Sequence, residues 1–167
     1  LEIIDWGELW LSSTPDSVGS VGWDAALPRM AVWADVRLAG EDQVLRVYGT
    51  HFDHRGTEAR SESARLLLRH ASGGPPAVFM GDFNASEDAE PIKNFLDQGY
   101  RSAVLAHNPE IQTGTFNGFE DSTGGRRIDH ILVHPDLRIE AGEILEASSA
   151  TPWPSDHFPV MARLGIR

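Results

Sequence analysis

The sequence predicts a mixed α/β chain, of the α+β kind, built mostly from strands with two helices. Three observations predict it. Apolar and polar side chains alternate with a period of two in several short segments. One long segment carries apolar residues at helical spacing. A continuous apolar run follows that helix, as in a strand buried on both faces.

The elements follow in order. Leu1–Asp5 and Glu8–Ser12 are short, apolar-rich and bracketed by turn residues, which predicts two strands. Ser13–Leu27 is rich in Ser, Pro, Gly and Asp and reads as a long loop. Arg29–Leu38 and Gln43–Phe52 alternate and flank Gly40–Asp42, which predicts a hairpin. Thr57–Ala71 is the clearest helix, with Ala59, Ala64, Leu67, Leu68 and Ala71 on one side and Thr57 placed to cap its start. Acids precede bases along it, matching the helix dipole. Ala77–Gly81 is the apolar strand, and Asp88–Gln98 predicts a short helix with Ile92, Phe95 and Leu96 inward. After a loop-rich stretch, Arg127–Val133, Leu137–Leu145 and Phe158–Leu164 predict three further strands. No internal repeat is present.

Composition sets the outer bounds. With 167 residues the chain fits one domain, or a piece of one, and 41% hydrophobic residues are enough for a core. No window of 18 apolar residues occurs, so no transmembrane span is expected. No basic segment leads an apolar one as in a secretion signal, and the chain opens on Leu1, so localisation stays open. There are no cysteines, which excludes disulfide frameworks, thiolate zinc sites and thiol nucleophiles. The formal charge is −11, with a single Lys. Broad nucleic-acid binding rests on Lys and Arg and is disfavoured. Clustered carboxylates remain suited to a hard cation.

Four polar clusters sit where apolar strands end: Thr50-His51-Phe52-Asp53-His54, Gly81-Asp82-Phe83-Asn84, Arg127-Ile128-Asp129-His130 and Ser155-Asp156-His157-Phe158. A strand end fixes a side chain while the loop beyond leaves room for a ligand. Asp82 and Asn84, two apart, offer a carboxylate and an amide to one point, for a water, a phosphate or a cation; Asp and Asn after Gly equally suit a plain turn. Asp156 beside His157 suits a metal ligand next to an acid/base imidazole, or a capped surface loop. Asp129 suits the orientation of an imidazole, or an ion pair with Arg127. His51 suits a catalytic acid or a member of a ligand cluster.

In this order the clusters Thr-His-Phe, Gly-Asp-Phe-Asn, Arg-Ile-Asp-His and Ser-Asp-His-Phe-Pro-Val resemble the endonuclease/exonuclease/phosphatase superfamily. The looser stretches Trp10–Pro15 and Gly22–Arg29 look like those of a bacterial branch. The resemblance covers nearly the whole chain. It implies a deoxyribonuclease I-like two-sheet β-sandwich with flanking helices. It also implies hydrolysis of a phosphoester by in-line attack of water, assisted by Mg²⁺ or Mn²⁺. The expected substrate is a small-molecule or lipid-type phosphoester; the alternatives are a nuclease and an inactive domain.

Carried over by motif, Asp82 orients or deprotonates the water and Asn84 holds the phosphate or a metal. His157, backed by Asp129, faces the phosphoryl oxygen. Asp156 ligates metal, with Asp82 and Asn84 as further ligands. His51 lies near the leaving oxygen and donates a proton. Arg29 and Arg60 are candidate phosphate contacts, each otherwise an ordinary ion pair. Trp23 and Trp153 suit a pocket wall or the core. The resemblance further implies earlier strands that carry an Asn and a metal-binding Glu, and Glu2 and Glu8 lack that context. Residues 1–167 are therefore expected to be a single partial domain lacking its N-terminal strands, inactive alone and prone to self-associate through the Leu1–Ser12 region.

Overall fold

The protein is described by a computed structural model covering residues 1–37, 39–120, 125–146 and 154–165. Eight strands and three helices follow one another: β1 (Glu2–Trp10), β2 (Met30–Arg37), β3 (Val44–His51), α1 (Thr57–Ala71), β4 (Ala77–Asp82), α2 (Glu90–Asp97), β5 (Arg101–Ser102), α3 (Ala103–His107), β6 (Asp129–Val133), β7 (Arg138–Ile144) and β8 (Val160–Gly165). Six strands form one sheet in the order β1-β2-β3-β4-β6-β5, and β7 and β8 form a second. All pairings are antiparallel except β3 with β4. That parallel pair needs a crossover, and α1 supplies it.

Register builds two apolar layers. Tyr48, Phe79 and Leu132 are direct neighbours across β3, β4 and β6, and all three are fully buried. They face α1 and α2, where Leu67, Ile92 and Phe95 complete an aromatic-rich core. Val47, Val78 and Val133 form the next row on the opposite face. Val78 and Val133 pack there with Leu137, and Ile139 and Leu164 come from the second sheet. Residues 77–79 of the apolar run are thus buried on both faces, while Met80 is exposed.

Four expectations are corrected. Leu1–Asp5 and Glu8–Ser12 are one strand, not two. Gly7 does not break it, because it fills a packing slot: a Cβ there would lie 3.0 Å from the Trp33 indole. The start of α1 is not capped by Thr57. Asp24, from the long loop, reaches across and accepts from the N–H groups of Ala59 (2.7 Å) and Glu58 (3.3 Å). Gly56 keeps that approach open, since a Cβ would meet Asp24 Oδ1 at 2.6 Å. The loop-rich stretch before β6 contains β5 and α3, too short to show a period. The second helix is trimmed to Glu90–Asp97. Leu38 and Trp153 lie outside the described residues.

Asp53 ties the long loop to the α1 entry. Its buried carboxylate accepts from the N–H groups of Ala26, Leu27, Arg55 and Gly56, at 2.6 to 3.1 Å. Burial alone would raise its pKa, but the four N–H groups outweigh that and hold it at about 2. A depressed carboxyl stabilises the fold above its unfolded pKa of about 4 and loses that contribution as pH falls through the folded value. Acid titration from about pH 5 to pH 2 should therefore remove ~2 kcal/mol attributable to Asp53. Urea melts of wild type and Asp53→Asn should show a gap that narrows over this window; a constant gap would rule it out.

β1 is an edge strand, and Leu1, Ile3, Ile4 and Trp6 are exposed along it. No described helix is long and apolar enough to cross a membrane.

Candidate active site

The pairing that aligns the core rows also aligns a polar row at the strand ends. His51 pairs with Asp82 across β3 and β4, and Asp82 with Asp129 across β4 and β6. Directly paired residues share a sheet face, so three side chains far apart in sequence stand side by side. The Asp82 carboxylate Oδ2 lies 3.3 Å from His51 Nε2. His157 enters from the loop before β8, where Phe116 bridges to it. Its Nδ1 lies 2.7 Å from Asp129 Oδ2. Ligand atoms of Asp82, Asp129 and His157 all fall within 4.8 Å of one another.

Local backbone geometry explains this placement. Gly81 has φ +138°, and a Cβ there would meet the Thr50 carbonyl oxygen at 1.9 Å. Only glycine lets β3 and β4 stay this close beside the site. Gly81→Ala should cost about 3 kcal/mol, read as a fall in melting temperature; an unchanged melting temperature would contradict this. Asp82 Oδ1 accepts from Asn84 N–H at 2.7 Å, closing a turn that holds Asn84 at φ +49°. The Asn84 amide donates to the Phe52 carbonyl at 3.0 Å. Strain of this kind persists where the surroundings over-determine it.

The electrostatics divide the two imidazoles. Burial lowers the pKa of His51 and the charge of Arg29 adds to it, so the neutral ring is favoured. Burial also acts against a charged His157, but the Asp129 hydrogen bond and the charges of Asp129, Asp82 and Asp156 outweigh it and raise its pKa. Asp82 is raised, first by burial and then by the neighbouring Asp129 carboxylate.

The remaining predicted residues fall around this centre. Asp156 is adjacent through its charge, and its carbonyl accepts from Asn117 and Gly118 N–H. Its carboxylate does not join the three-residue cluster, where Asp129 and His157 stand with Asp82 instead. Arg29 lies 3.4 Å from His54 Nδ1 and 3.9 Å from Asp53. Arg60 donates to the Asp53 carbonyl at 3.0 Å and shares a pocket wall with Asn84. Trp23 is half-buried in the long loop at φ +51°. Glu2 and Glu8 are exposed on β1, where Glu2 pairs with Arg37 at 3.5 Å. Arg127 does not pair with Asp129; it binds Glu87 and the carbonyls of Ile111 and Thr113.

Supporting residues were not legible in the sequence. Thr115, fully buried, accepts from the N–H groups of Ile128 and Asp129 and through its carbonyl from Phe158 N–H. It thereby joins the start of β6 to the His157 loop. His130, also buried, stands with its Nε2 2.8 Å from the Ala85 carbonyl, just past Asn84. Burial lowers its pKa.

The family model described as the endonuclease/exonuclease/phosphatase family matches residues 9–157. The chain belongs to this family. Its architecture is the deoxyribonuclease I-like fold. A family structure from Bacteroides vulgatus is 32% identical with a TM-score of 0.89, covering 99% of this chain and 66% of that one. A mannosyl-6-phosphatase from Bacteroides thetaiotaomicron is 32% identical with a TM-score of 0.87, covering 99% and 67%. The human nocturnin catalytic domain, at 18% identity and TM-score 0.74 over 99% and 60%, shares the fold. The chain thus spans about two thirds of the length of these structures. Comparison with curated proteins gives no match.

Proposed function

We propose that the protein hydrolyses a small phosphoester, most simply a phosphomonoester, by in-line attack of a water. The row of His51, Asp82 and Asp129, closed by His157, carries this reading. Asp82 accepts a hydrogen bond from the attacking water and takes its proton; its raised pKa supports a base role. Asn84 and His157 hold phosphoryl oxygens, and Asp129 steadies the imidazolium as negative charge develops. The lowered pKa of His51 supports a neutral ring that orients Asp82 and the leaving oxygen, rather than a resident acid. Arg29 adds positive charge beside it.

The family implies a divalent metal, and the donor set fits one. The carboxylates of Asp82 and Asp129 stand side by side here, an arrangement that a cation relieves. Asp82 and Asp129 would hold it through their carboxylates, with Asn84 and Asp156 at its margin, while the charged His157 stays bonded to Asp129 and faces the phosphoryl group. Carboxylate and amide oxygens of this kind suit Mg²⁺ or Mn²⁺. When bound, it supplies positive charge to the phosphoryl group.

The charge of −11 and the likeness to a mannosyl-6-phosphatase support a small substrate over a nucleic acid. The test is phosphate release by the full-length protein from mannose 6-phosphate and other sugar phosphates, against single-stranded oligonucleotides. Cleavage of oligonucleotides alone would replace this reading with a nuclease. For this chain by itself, the exposed apolar edge of β1 supports self-association. Light scattering should show mass rising with concentration; a monomer at high concentration would refute it.

A further inference from the structure

A second pocket, about 230 Å³, has Asn84 in its wall. Its walls include Thr57, Arg60, Ser86, Glu90 and Arg126. Three features point to an anion. Neither Arg60 nor Arg126 has a carboxylate partner among the described residues, in a chain where acids outnumber bases 25 to 14. Arg60 is instead steered by neutral acceptors, the Asp53 carbonyl at 3.0 Å and the Thr57 hydroxyl at 3.4 Å. α2 begins at this pocket, through Glu90, and has no side-chain cap, whereas the start of α1, where Thr57 joins the wall, is already met by Asp24. Helix starts carry partial positive charge and free N–H groups. The one acid in the wall, Glu90, is turned to Arg65 at 2.5 Å, which it shares with Glu62.

Resting on the phosphoesterase reading above, we propose that this pocket binds a second phosphate of the same small substrate. Asn84 is the shared residue: it bonds Asp82 beside the reacting phosphate and stands in the wall of the Arg60–Arg126 pocket. A substrate with two phosphates is held at both, which fixes which ester meets Asp82. Guanidinium groups suit this task, because a planar fork donates two parallel hydrogen bonds to phosphate oxygens. The substrate class is therefore a phosphorylated small molecule bearing a second phosphate, a sugar bisphosphate being the simplest case.

The test uses the full-length protein. Calorimetry compares glucose 1,6-bisphosphate with glucose 6-phosphate in wild type and in Arg126→Gln and Arg60→Gln. Wild type should bind the bisphosphate about tenfold or more tighter, the scale of one charge-assisted contact. Each variant should shrink that ratio to about twofold. Circular dichroism melts confirm folding, and Arg126→Lys, which keeps the charge, should recover part of the ratio. Equal affinities in wild type, an unchanged ratio in both variants, or binding of neither sugar phosphate overturns the proposal. Tighter binding of a 5′-phosphorylated dinucleotide than of the bisphosphate overturns the small-molecule assignment. Phosphate release is followed in parallel. A bisphosphate binding advantage without release removes the hydrolase reading but keeps the pocket. Release without that advantage does the reverse.

Discussion

Asp82→Asn is expected to lower phosphate release by the full-length protein about a thousandfold or more, with little change in melting temperature. The size follows from removing a general base and a charge from one position, each worth orders of magnitude in rate. The fold should tolerate the change. Asn keeps an oxygen for the Asn84 N–H at 2.7 Å, and the neighbouring Asp129 charge no longer opposes a buried carboxylate. Single-turnover and steady-state assays with matched melts check it. A near-normal rate would remove Asp82 from the chemistry.

Breaking the pair behind it should cost nearly as much. His157→Ala removes the imidazolium, and Asp129→Asn removes the carboxylate whose hydrogen bond at 2.7 Å raises the His157 pKa. Each is expected to lower kcat/KM about a hundredfold or more. Asp129→Asn should also move the alkaline limb of the pH–rate profile to lower pH, because the charged His157 loses its main partner. His157→Ala should abolish that limb. A profile unchanged in Asp129→Asn would show that the pair does not set the protonation state used in turnover.

How much of this was legible in the sequence depended on range. The α1 segment and the apolar β4 run were legible because their signals are local periodicities. Three of the four polar clusters were legible as strand ends for the same reason, while the fourth, Ser155–Phe158, lies in the loop before β8. That His51, Asp82 and Asp129 form one row was not, because register is set by cross-strand packing of Tyr48, Phe79 and Leu132. The continuity of β1 through Gly7 was not legible, because the partner of Gly7 is the Trp33 ring on the neighbouring strand. The α1 cap was misplaced because Asp24 lies more than thirty residues away. Asp156 stood out through its adjacency to His157, yet Asp129 is the residue brought into the carboxylate–imidazole cluster. Thr115 gave no signal at all, since a lone Thr in a polar loop has no period and no motif.

The central claim is that these strand-end residues work as one phosphoester-hydrolysing centre. A double-mutant comparison of Asp82→Asn, His157→Ala and the combined variant tests it most directly, measured as kcat/KM for sugar phosphate hydrolysis by the full-length protein. Groups that act as a unit are strongly non-additive. The combined variant is predicted to be about as slow as the slower single variant. Losses that simply multiply, or a single variant at the wild-type rate, would contradict it.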